Sequence, residues 1–203
     1  MSMDPPTPRP ADRPAADPEP KPESDPVPGR PVVVLGLMGA GKTTLATRLG
    51  ARWGRAVRDS DADLEGRWGR TAAELADAMG AQGLHELEAA HLLEALAEHP
   101  PPVVAAAAST VEREECRRAL RSAVVIWLDA APRELAGRFG SAAHRPRYSS
   151  DLIAMLEDMD AGRRPLFTEV ATVVVRVPAR PEPGWLDAVI SDLERQLRPP
   201  SGG

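Results

Sequence analysis

A glycine-rich loop constrains the fold of this chain more than any other feature. Residues 36 to 43 read Gly-Leu-Met-Gly-Ala-Gly-Lys-Thr and match the pattern G-x-x-x-x-G-K-T. The loop follows a β-branched run at residues 31–35 and precedes a helical pattern that ends at Gly50. A strand, a glycine loop and a helix in this order predict a P-loop, which binds the phosphates of a nucleoside triphosphate.

The chemistry of this loop follows from its backbone. Glycine lets successive N–H groups point into one concavity, and the helix N-terminus adds a partial positive charge. Lys42 is expected to span the β- and γ-phosphates, and the Thr43 hydroxyl to bind Mg²⁺. The loop residues expected to contact the nucleotide are Gly36, Met38, Gly39, Ala40, Gly41, Lys42, Thr43 and Thr44.

The ends of the chain differ in composition from the part between them. Eleven of the 22 prolines fall within the first 31 residues, among few apolar side chains. Such a segment buries too little apolar surface to offset the entropy lost on ordering. The sequence therefore predicts a disordered Pro-rich tail over residues 1–30, a P-loop domain over 31–197 and a disordered end over 198–203.

Charge and composition exclude several kinds of partner. The formal net charge is −5 without a dense basic stripe, which excludes nucleic acid as an expected partner. No run of 18 apolar residues predicts a membrane span. Cys116 is the single cysteine and lies in a helical pattern, so we expect a buried thiol in a reducing cytoplasm. We expect a cytoplasmic monomer that acts on a small molecule.

Strand and helix patterns alternate along the chain. The strand candidates are residues 32–35, 55–59, 103–107, 123–128 and 172–177. The helical patterns after the first are residues 64–68, 72–79, 84–97, 112–120, 132–139, 152–161 and 185–197. This alternation predicts an α/β fold, a P-loop NTPase-type three-layer α/β/α sandwich with a five-stranded parallel sheet. The ligand is expected beyond the carboxyl ends of the strands.

Two carboxylates, Asp59 and Asp61, follow the second strand candidate. At a strand end they can reach the phosphate site, where one would hold the Mg²⁺ shell and the other would contact a substrate hydroxyl. Helix capping suits the same segment, with Ser60 or Asp61 as the N-cap. The residues alone fit both interpretations.

A loop at residues 140–150 carries Arg145 and Arg147 between two helical patterns. A mobile lid that brings guanidinium groups to the γ-phosphate has this composition. A solvated surface loop has it too.

In this order, the motifs resemble the shikimate kinase family. The resemblance runs from about residue 32 to 197 and rests on G-L-M-G-A-G-K-T-T at 36–44, D-S-D at 59–61, G-R-T-A-A-E-L at 69–75, R-P at 145–146 and R-R-P-L-F at 163–167. It implies a kinase that uses ATP and Mg²⁺ to phosphorylate a hydroxyl of a small polyhydroxy compound.

The resemblance also implies roles for single residues. On the ATP side, Asp59 lies near Mg²⁺, Arg138 stacks on adenine with Pro183 on its other face, and the lid residue Arg145 reaches the phosphates. On the acceptor side, Asp61 binds the acceptor hydroxyls, Arg163 pairs with an acceptor carboxylate and Glu88 orients a neighbouring arginine. The implied catalytic residues are Lys42, Asp61 and Arg145.

Two departures from the family pattern lie on the acceptor side. His85 stands where the family has a second carboxylate-binding arginine, and it lacks the fork of donors that grips a carboxylate. Residues 107–109 read Ala-Ala-Ser where the family has three glycines, so a positive φ there would be costly. The residues expected to bind the acceptor are Asp61, His85, Ala107, Ala108, Ser109 and Arg163. A less anionic carbocycle or sugar derivative is therefore the expected acceptor, and shikimate itself is the other candidate.

Two other classes of protein stay open. One is a P-loop enzyme that phosphorylates a nucleotide or another acceptor, and the other is an ATP-binding regulatory protein without catalysis. Aromatic residues make up only 3% of the chain, which disfavours a second nucleotide site. The presence of Lys42, Asp61 and Arg145 favours the small-molecule kinase, because a protein that only binds ATP needs no more than the P-loop.

Overall fold

The computed structural model describes residues 25–139 and 152–198. The strands in these ranges are β1 (Val32–Leu35), β2 (Val57–Asp59), β3 (Val103–Ala105), β4 (Val124–Asp129) and β5 (Val173–Arg176). The helices are α1 (Lys42–Trp53), α2 (Ser60–Trp68), α3 (Ala72–Leu96), α4 (Glu114–Leu120), α5 (Pro132–Phe139), α6 (Leu152–Val170) and α7 (Trp185–Leu197). A 3₁₀ turn, Ala108–Glu112, lies between β3 and α4.

The strands form one parallel sheet in the order β2-β3-β1-β4-β5. Every residue of the central strand β1 is buried, because helices cover both faces of the sheet. The edge strand β5 alternates between half-buried and exposed residues instead. The predicted α/β fold with a five-stranded parallel sheet is confirmed within the described residues.

Helices on both faces of the sheet make the three layers. Right-handed crossovers place α1 on one face and the helices after β2, β3 and β4 on the other, because the chain runs across the sheet in opposite directions. The last helix α7 lies beside α1, where Glu194 accepts hydrogen bonds from Arg52 Nε at 3.0 Å and Trp53 Nε1 at 3.0 Å. The bond from Arg52 lowers the pKa of the buried Glu194 carboxyl.

Helix α6 extends well beyond its predicted end at residue 161. It continues to Val170 with Pro165 inside it. An interior proline costs about 3 kcal/mol in a helix, so contacts on both sides of it must hold this one. Arg164 Nη2 donates to Asp129 Oδ1 at 2.7 Å, and the buried Phe167 ring stacks on Trp127 with centroids 5.5 Å apart. Tertiary packing therefore overrides the local signal to stop.

The helical patterns predicted at 72–79 and 84–97 fall in one element, α3. Gly80 interrupts it with φ 80° and ψ 163°, a backbone conformation that glycine adopts and other residues avoid. Helix α4 begins at Glu114, two residues after the predicted start at 112, because Glu112 ends the 3₁₀ turn. Cys116 is buried as expected, and burial raises the pKa of its thiol.

The described residues begin at Asp25, and the part of the predicted tail from residue 25 to 30 contacts Arg55. The side chain of Arg55 is only 6% exposed, and three acceptors from this first segment receive its N–H groups. Nε donates to Asp25 Oδ2 at 2.7 Å, Nη2 to the Val27 carbonyl at 2.6 Å and Nη1 to the Arg30 carbonyl at 2.7 Å. Residues 1–24, the lid expected at 140–150 and the end of the chain after residue 198 lie outside the described residues.

Candidate active site

The P-loop lies at the carboxyl end of β1 and leads directly into α1. Gly36 has φ 145°, and a Cβ there would lie 2.7 Å from the Leu128 carbonyl oxygen. Gly41 caps α1 in the left-handed region with φ 98°. Glycine is thus required at the first position by space and at the second by conformation. Together they bring the loop close to β4 and turn the helix N-terminus toward the phosphate site.

Lys42 and Thr43 begin α1 beside this loop. The Lys42 ammonium donates to the Leu37 carbonyl at 3.3 Å, so the side chain folds back over the loop. The Thr43 hydroxyl donates to Asp59 Oδ2 at 2.6 Å and links α1 to the end of β2. The first residues of α1 thus bring together the lysine, the hydroxyl and the carboxylate that the sequence assigns to the phosphate site.

Asp59 is the N-cap of α2, where the sequence allowed Ser60 or Asp61. Its Oδ1 accepts from the backbone N–H of Asp61 at 3.1 Å and of Ala62 at 3.3 Å, while Oδ2 receives the Thr43 hydroxyl. One carboxylate therefore caps a helix and faces the phosphate site at the same time. Of the two interpretations left open by the sequence, helix capping is seen at Asp59, and its place near Mg²⁺ stays a prediction.

The donor atoms near the phosphate site suit Mg²⁺. The Thr43 hydroxyl and the Asp59 carboxylate both offer oxygen atoms, which this cation prefers as ligands. The two oxygens are 2.6 Å apart, close enough to bind the same ion. Residues 25–139 and 152–198 contain no cluster of three or more His, Cys, Asp or Glu able to hold a metal alone. Mg²⁺ at a phosphate site needs only one or two protein ligands, because phosphate oxygens and water molecules fill its other positions.

An apolar cavity of about 250 Å³ opens beside the P-loop. Arg138 spans its edge by donating to the Gly39 carbonyl at 3.1 Å and the Pro178 carbonyl at 2.9 Å. The proline that lines this cavity is Pro181, whereas Pro183, which the resemblance indicated, does not line it. Trp185, which sequence reasoning missed, adds an aromatic side chain. The lining residues are Ala40, Gly41, Thr44, Leu45, Leu128, Arg138, Val177, Pro181, Trp185 and Leu186.

Glu88 on α3 lies near residues that the sequence predicts to bind the acceptor. This carboxyl is only 8% exposed and accepts a hydrogen bond from the buried Ser109 hydroxyl. Burial raises the pKa of Glu88, and the charge of the exposed Asp61 acts in the same direction, whereas the Ser109 bond and the charges of His85 and Arg163 oppose the rise. Four of the predicted acceptor residues, on four separate elements, thus influence the Glu88 carboxyl: Ser109 by a hydrogen bond, and Asp61, His85 and Arg163 by their charges. Among the described residues, Glu88 accepts its hydrogen bond from Ser109, whereas the resemblance implied that it orients an arginine.

Arg163 and His85 both lie against Glu112 at the end of the 3₁₀ turn. Arg163 Nε donates to Glu112 Oε1 at 2.7 Å, and the Arg163 side chain is only 11% exposed. His85 Nδ1 lies 3.8 Å from the other oxygen, Oε2. Sequence reasoning missed Glu112, since its partners lie on helices distant in the chain and its position carries no motif.

Residues 107–109 avoid the backbone strain that their sequence raised as a concern. Ala107 has φ −63°, and every described residue with positive φ is a glycine. The segment turns into the 3₁₀ helix instead, with Ser109 buried and Glu112 exposed. Ala107 and Ala108 are half-buried at the start of this turn. Arg145, the expected lid arginine, lies outside the described residues.

Comparisons with known proteins agree with this geometry. The shikimate kinase family model matches residues 38–194. A shikimate kinase from Frankia casuarinae is 37% identical over 71% of this chain and 64% of that protein. A shikimate kinase from Symbiobacterium thermophilum is 36% identical over 82% of this chain and 95% of that protein. The chain belongs to the shikimate kinase family. It is thus an ATP-dependent phosphotransferase with an alcohol group as acceptor.

A solved structure gives the same result at the level of the fold. Shikimate kinase from Acinetobacter baumannii, in complex with shikimate, superposes with a TM-score of 0.74 and 25% identity, over 83% of this chain and 93% of that one. Within residues 25–139 and 152–198, no helix is both long and apolar enough to cross a membrane.

Proposed function

We propose that this shikimate kinase family member transfers the γ-phosphate of ATP to a hydroxyl of a small carbocycle or sugar derivative other than shikimate. One observation carries the proposal. A P-loop with its lysine, threonine and carboxylate adjoins a polar cluster. This cluster has fewer groups that can bind a carboxylate than the family pattern has. In that cluster Ser109 contacts Glu88, the charges of Asp61, His85 and Arg163 act on it, and Arg163 already pairs with Glu112.

In this proposal, residues of α1 and β2 carry the donor chemistry. The Lys42 ammonium stabilises charge that develops between the β- and γ-phosphates. Thr43 and Asp59 hold Mg²⁺, which when bound neutralises phosphate charge. The apolar cavity holds the nucleoside base under Arg138 and beside Pro181 and Trp185. Arg145 as a lid arginine stays a prediction from the sequence.

The acceptor hydroxyl binds at Asp61 in this proposal. The side chain is exposed in the first turn of α2, two residues after the carboxylate that contacts Thr43. From there Asp61 orients the hydroxyl toward the γ-phosphate and accepts its proton as the new O–P bond forms. The ADP that leaves takes the electron pair of the broken bond.

His85 supports an acceptor other than shikimate. Imidazole cannot make the paired hydrogen bonds by which arginine grips a carboxylate. Loss of one such contact costs about 2–5 kcal/mol where the partner charge stays buried. That cost lowers affinity for an anionic acceptor by about 30-fold to several-thousand-fold. Ala107, Ala108 and Ser109 add side chains on the same side of the site, which favours a smaller or differently shaped ring.

A coupled assay of ADP release tests the proposal. Shikimate, uncharged polyols, sugars and sugar acids are supplied in turn with ATP and Mg²⁺. We expect turnover with a polyol or sugar derivative and little with shikimate. Turnover of shikimate at about 1–100 per second, the ordinary range of kinases, would contradict the altered acceptor.

The Lys42→Ala variant tests the phosphate site in the same assay. We expect it to lower turnover severely with any acceptor that the unaltered chain uses. Unchanged turnover would refute the assignment of Lys42. The monomeric state and cytoplasmic location stay predictions from the sequence.

A further inference from the structure

Arg163, on the proposed acceptor side, pairs with a carboxylate from the chain itself, that of Glu112. Glu112 Oε1 receives Arg163 Nε at 2.7 Å, and Oε2 faces His85 Nδ1 at 3.8 Å. The Arg163 side chain is mostly buried, so its charge needs a partner nearby. Glu112 is that partner, and it lies between the two basic groups on α3 and α6 that face this part of the site.

The position of Glu112 is fixed by the fold around it. The preceding Val111 is fully buried, and Arg117 Nη1 donates to the carbonyls of Val111 at 2.7 Å and Glu112 at 3.1 Å. The Arg113 N–H closes the turn on the Thr110 carbonyl at 3.3 Å. Glu112 therefore projects from an anchored turn, and its pairing with Arg163 does not depend on a loose loop.

Among the described residues of this cluster, carboxyl groups outnumber basic groups. Asp61, Glu88 and Glu112 contribute three carboxyl groups, whereas the basic groups that act on Glu88 are Arg163 and the imidazole of His85. A carboxylate on the acceptor would have to displace Glu112 from Arg163 or share the arginine with it. Two carboxylates close together repel each other, so either outcome weakens the binding of an anionic ring.

We propose that Glu112 is a specificity-determining residue that occupies Arg163 and selects an acceptor without a carboxylate at this position. The proposal rests on the kinase function proposed above and adds the charge class of the acceptor. A neutral polyhydroxy ring leaves the pair between Glu112 and Arg163 intact and still presents its hydroxyl to Asp61. An amino-substituted ring fits the same charge balance.

Two probes that share a ring, one with and one without a carboxylate, test this directly. Shikimate and its methyl ester carry the same ring and hydroxyls, but the ester has no carboxylate. Binding of each is measured by titration calorimetry with Mg²⁺ and a non-hydrolysable ATP analogue, and kcat/KM is measured with ATP. We expect the unaltered chain to bind the ester at least about tenfold more tightly than the acid.

The Glu112→Gln variant removes the charge and keeps the shape of the side chain. We expect it to tighten binding of shikimate by at least about tenfold and to leave binding of the ester within about twofold. Glu114→Gln is the matched control, since Glu114 is exposed on the next helix and pairs with Arg118. The control should keep the preference of the unaltered chain. Thermal unfolding of each variant checks that the fold is retained.

Several results would overturn the proposal. One is equal or tighter binding of shikimate than of the ester by the unaltered chain, and another is a preference that Glu112→Gln leaves unchanged. Failure of every variant to bind either probe also counts against it. The assays separate this proposal from the kinase function. A charge preference without ADP release would contradict the kinase and support the role of Glu112. Fast transfer to shikimate over its ester would show kinase activity and contradict both the altered acceptor and the role of Glu112.

Discussion

Asp61 is the side chain on which the proposed chemistry most depends. Asp61→Ala should lower turnover by at least about 10²-fold, because the hydroxyl loses the group that orients it and accepts its proton. The affinity for ATP should stay near that of the unaltered chain, since Thr43 contacts Asp59 rather than Asp61. ADP release and calorimetric titration with an ATP analogue measure the two effects.

Glu65→Gln controls for removal of a carboxylate from α2. Glu65 is exposed on the same helix, and its substitution should leave both turnover and ATP affinity unchanged. If Asp61→Ala keeps full turnover, Asp61 serves the helix N-terminus alone. Equal losses of turnover and ATP affinity would place Asp61 in nucleotide binding instead.

Glu88 links the acceptor site to stability through its buried carboxyl. Burial raises its pKa in the folded chain, so this group favours folding below the ordinary glutamate pKa of about 4.3. That contribution is lost as pH rises through the raised folded pKa. Glu88→Gln removes the titration and still accepts the Ser109 hydrogen bond.

The free energy of unfolding of the Glu88→Gln variant, minus that of the unaltered chain, should therefore grow as pH rises from the ordinary glutamate range through the folded pKa. Above that pKa the difference should level off. Urea unfolding at a series of pH values from about 4 to 8 measures it. Glu86→Gln controls for removal of an exposed carboxylate from the same helix. A difference that is constant with pH would show that Glu88 does not titrate in this way.

At the residue scale, local motifs could be predicted and long-range partners could not. Thr43 and Asp59 follow from strand ends that meet at one edge of a parallel sheet, and they lie in contact. Glu112 pairs with a residue 51 positions away, and no local pattern encodes that distance. In the irregular segment before α7, Pro181 lines the cavity, whereas the resemblance indicated Pro183, which stays a prediction.

Gly80 decides the shape of α3, the element that carries His85 and Glu88. With φ 80° and ψ 163°, it holds a conformation that costs other residues about 1–3 kcal/mol. A Cβ at Gly80 would meet no atom within 4 Å, so the cost of Gly80→Ala comes from the backbone alone. We expect a loss of unfolding free energy in this range, measured by urea unfolding.

Gly66→Ala is the matched substitution in α2. Gly66 is helical and exposed, and a Cβ there meets no atom within 4 Å either. Alanine should stabilise this position by about 0.4–1 kcal/mol. A Cβ has room at both glycines, so a loss of stability at Gly80 with a gain at Gly66 would show that backbone conformation causes the difference. A stabilising Gly80→Ala would mean that the break in α3 is not maintained in solution.

Elements could be predicted where local and tertiary signals agree. The strand β1 and the helices α5 and α7 have the predicted bounds, because apolar runs or clear stop signals delimit them. Helix α6 passes through Pro165 since Arg164 and Phe167 anchor it on Asp129 and Trp127. Those contacts exist only in the folded chain, so the sequence predicted an end nine residues too early, at 161 instead of Val170.

Across the whole molecule, donor and acceptor chemistry lie on different parts of the chain. The P-loop, the end of β2 and the segment before α7 form the proposed ATP side. The proposed acceptor side comes from α2, α3, the 3₁₀ turn and α6. The ATP side is built on the sheet and its first crossover, where a motif predicts geometry well. Helices brought together only by tertiary packing form the acceptor side, which is why its charge balance emerged from the structure.

Residues 25–30 contribute to stability through their contacts with Arg55. Arg55 is almost fully buried, and its guanidinium reaches Asp25, Val27 and Arg30. Deletion of residues 1–24 keeps all three acceptors and should leave the unfolding free energy unchanged, since that segment has the composition of a disordered tail. Deletion of residues 1–30 removes these three acceptors from the buried Arg55 guanidinium and should lower the free energy of unfolding by about 3–5 kcal/mol. Urea unfolding of the two truncated chains compares them. Equal stabilities would mean that water or another carboxylate replaces Asp25, and the folded domain would then begin at Pro31.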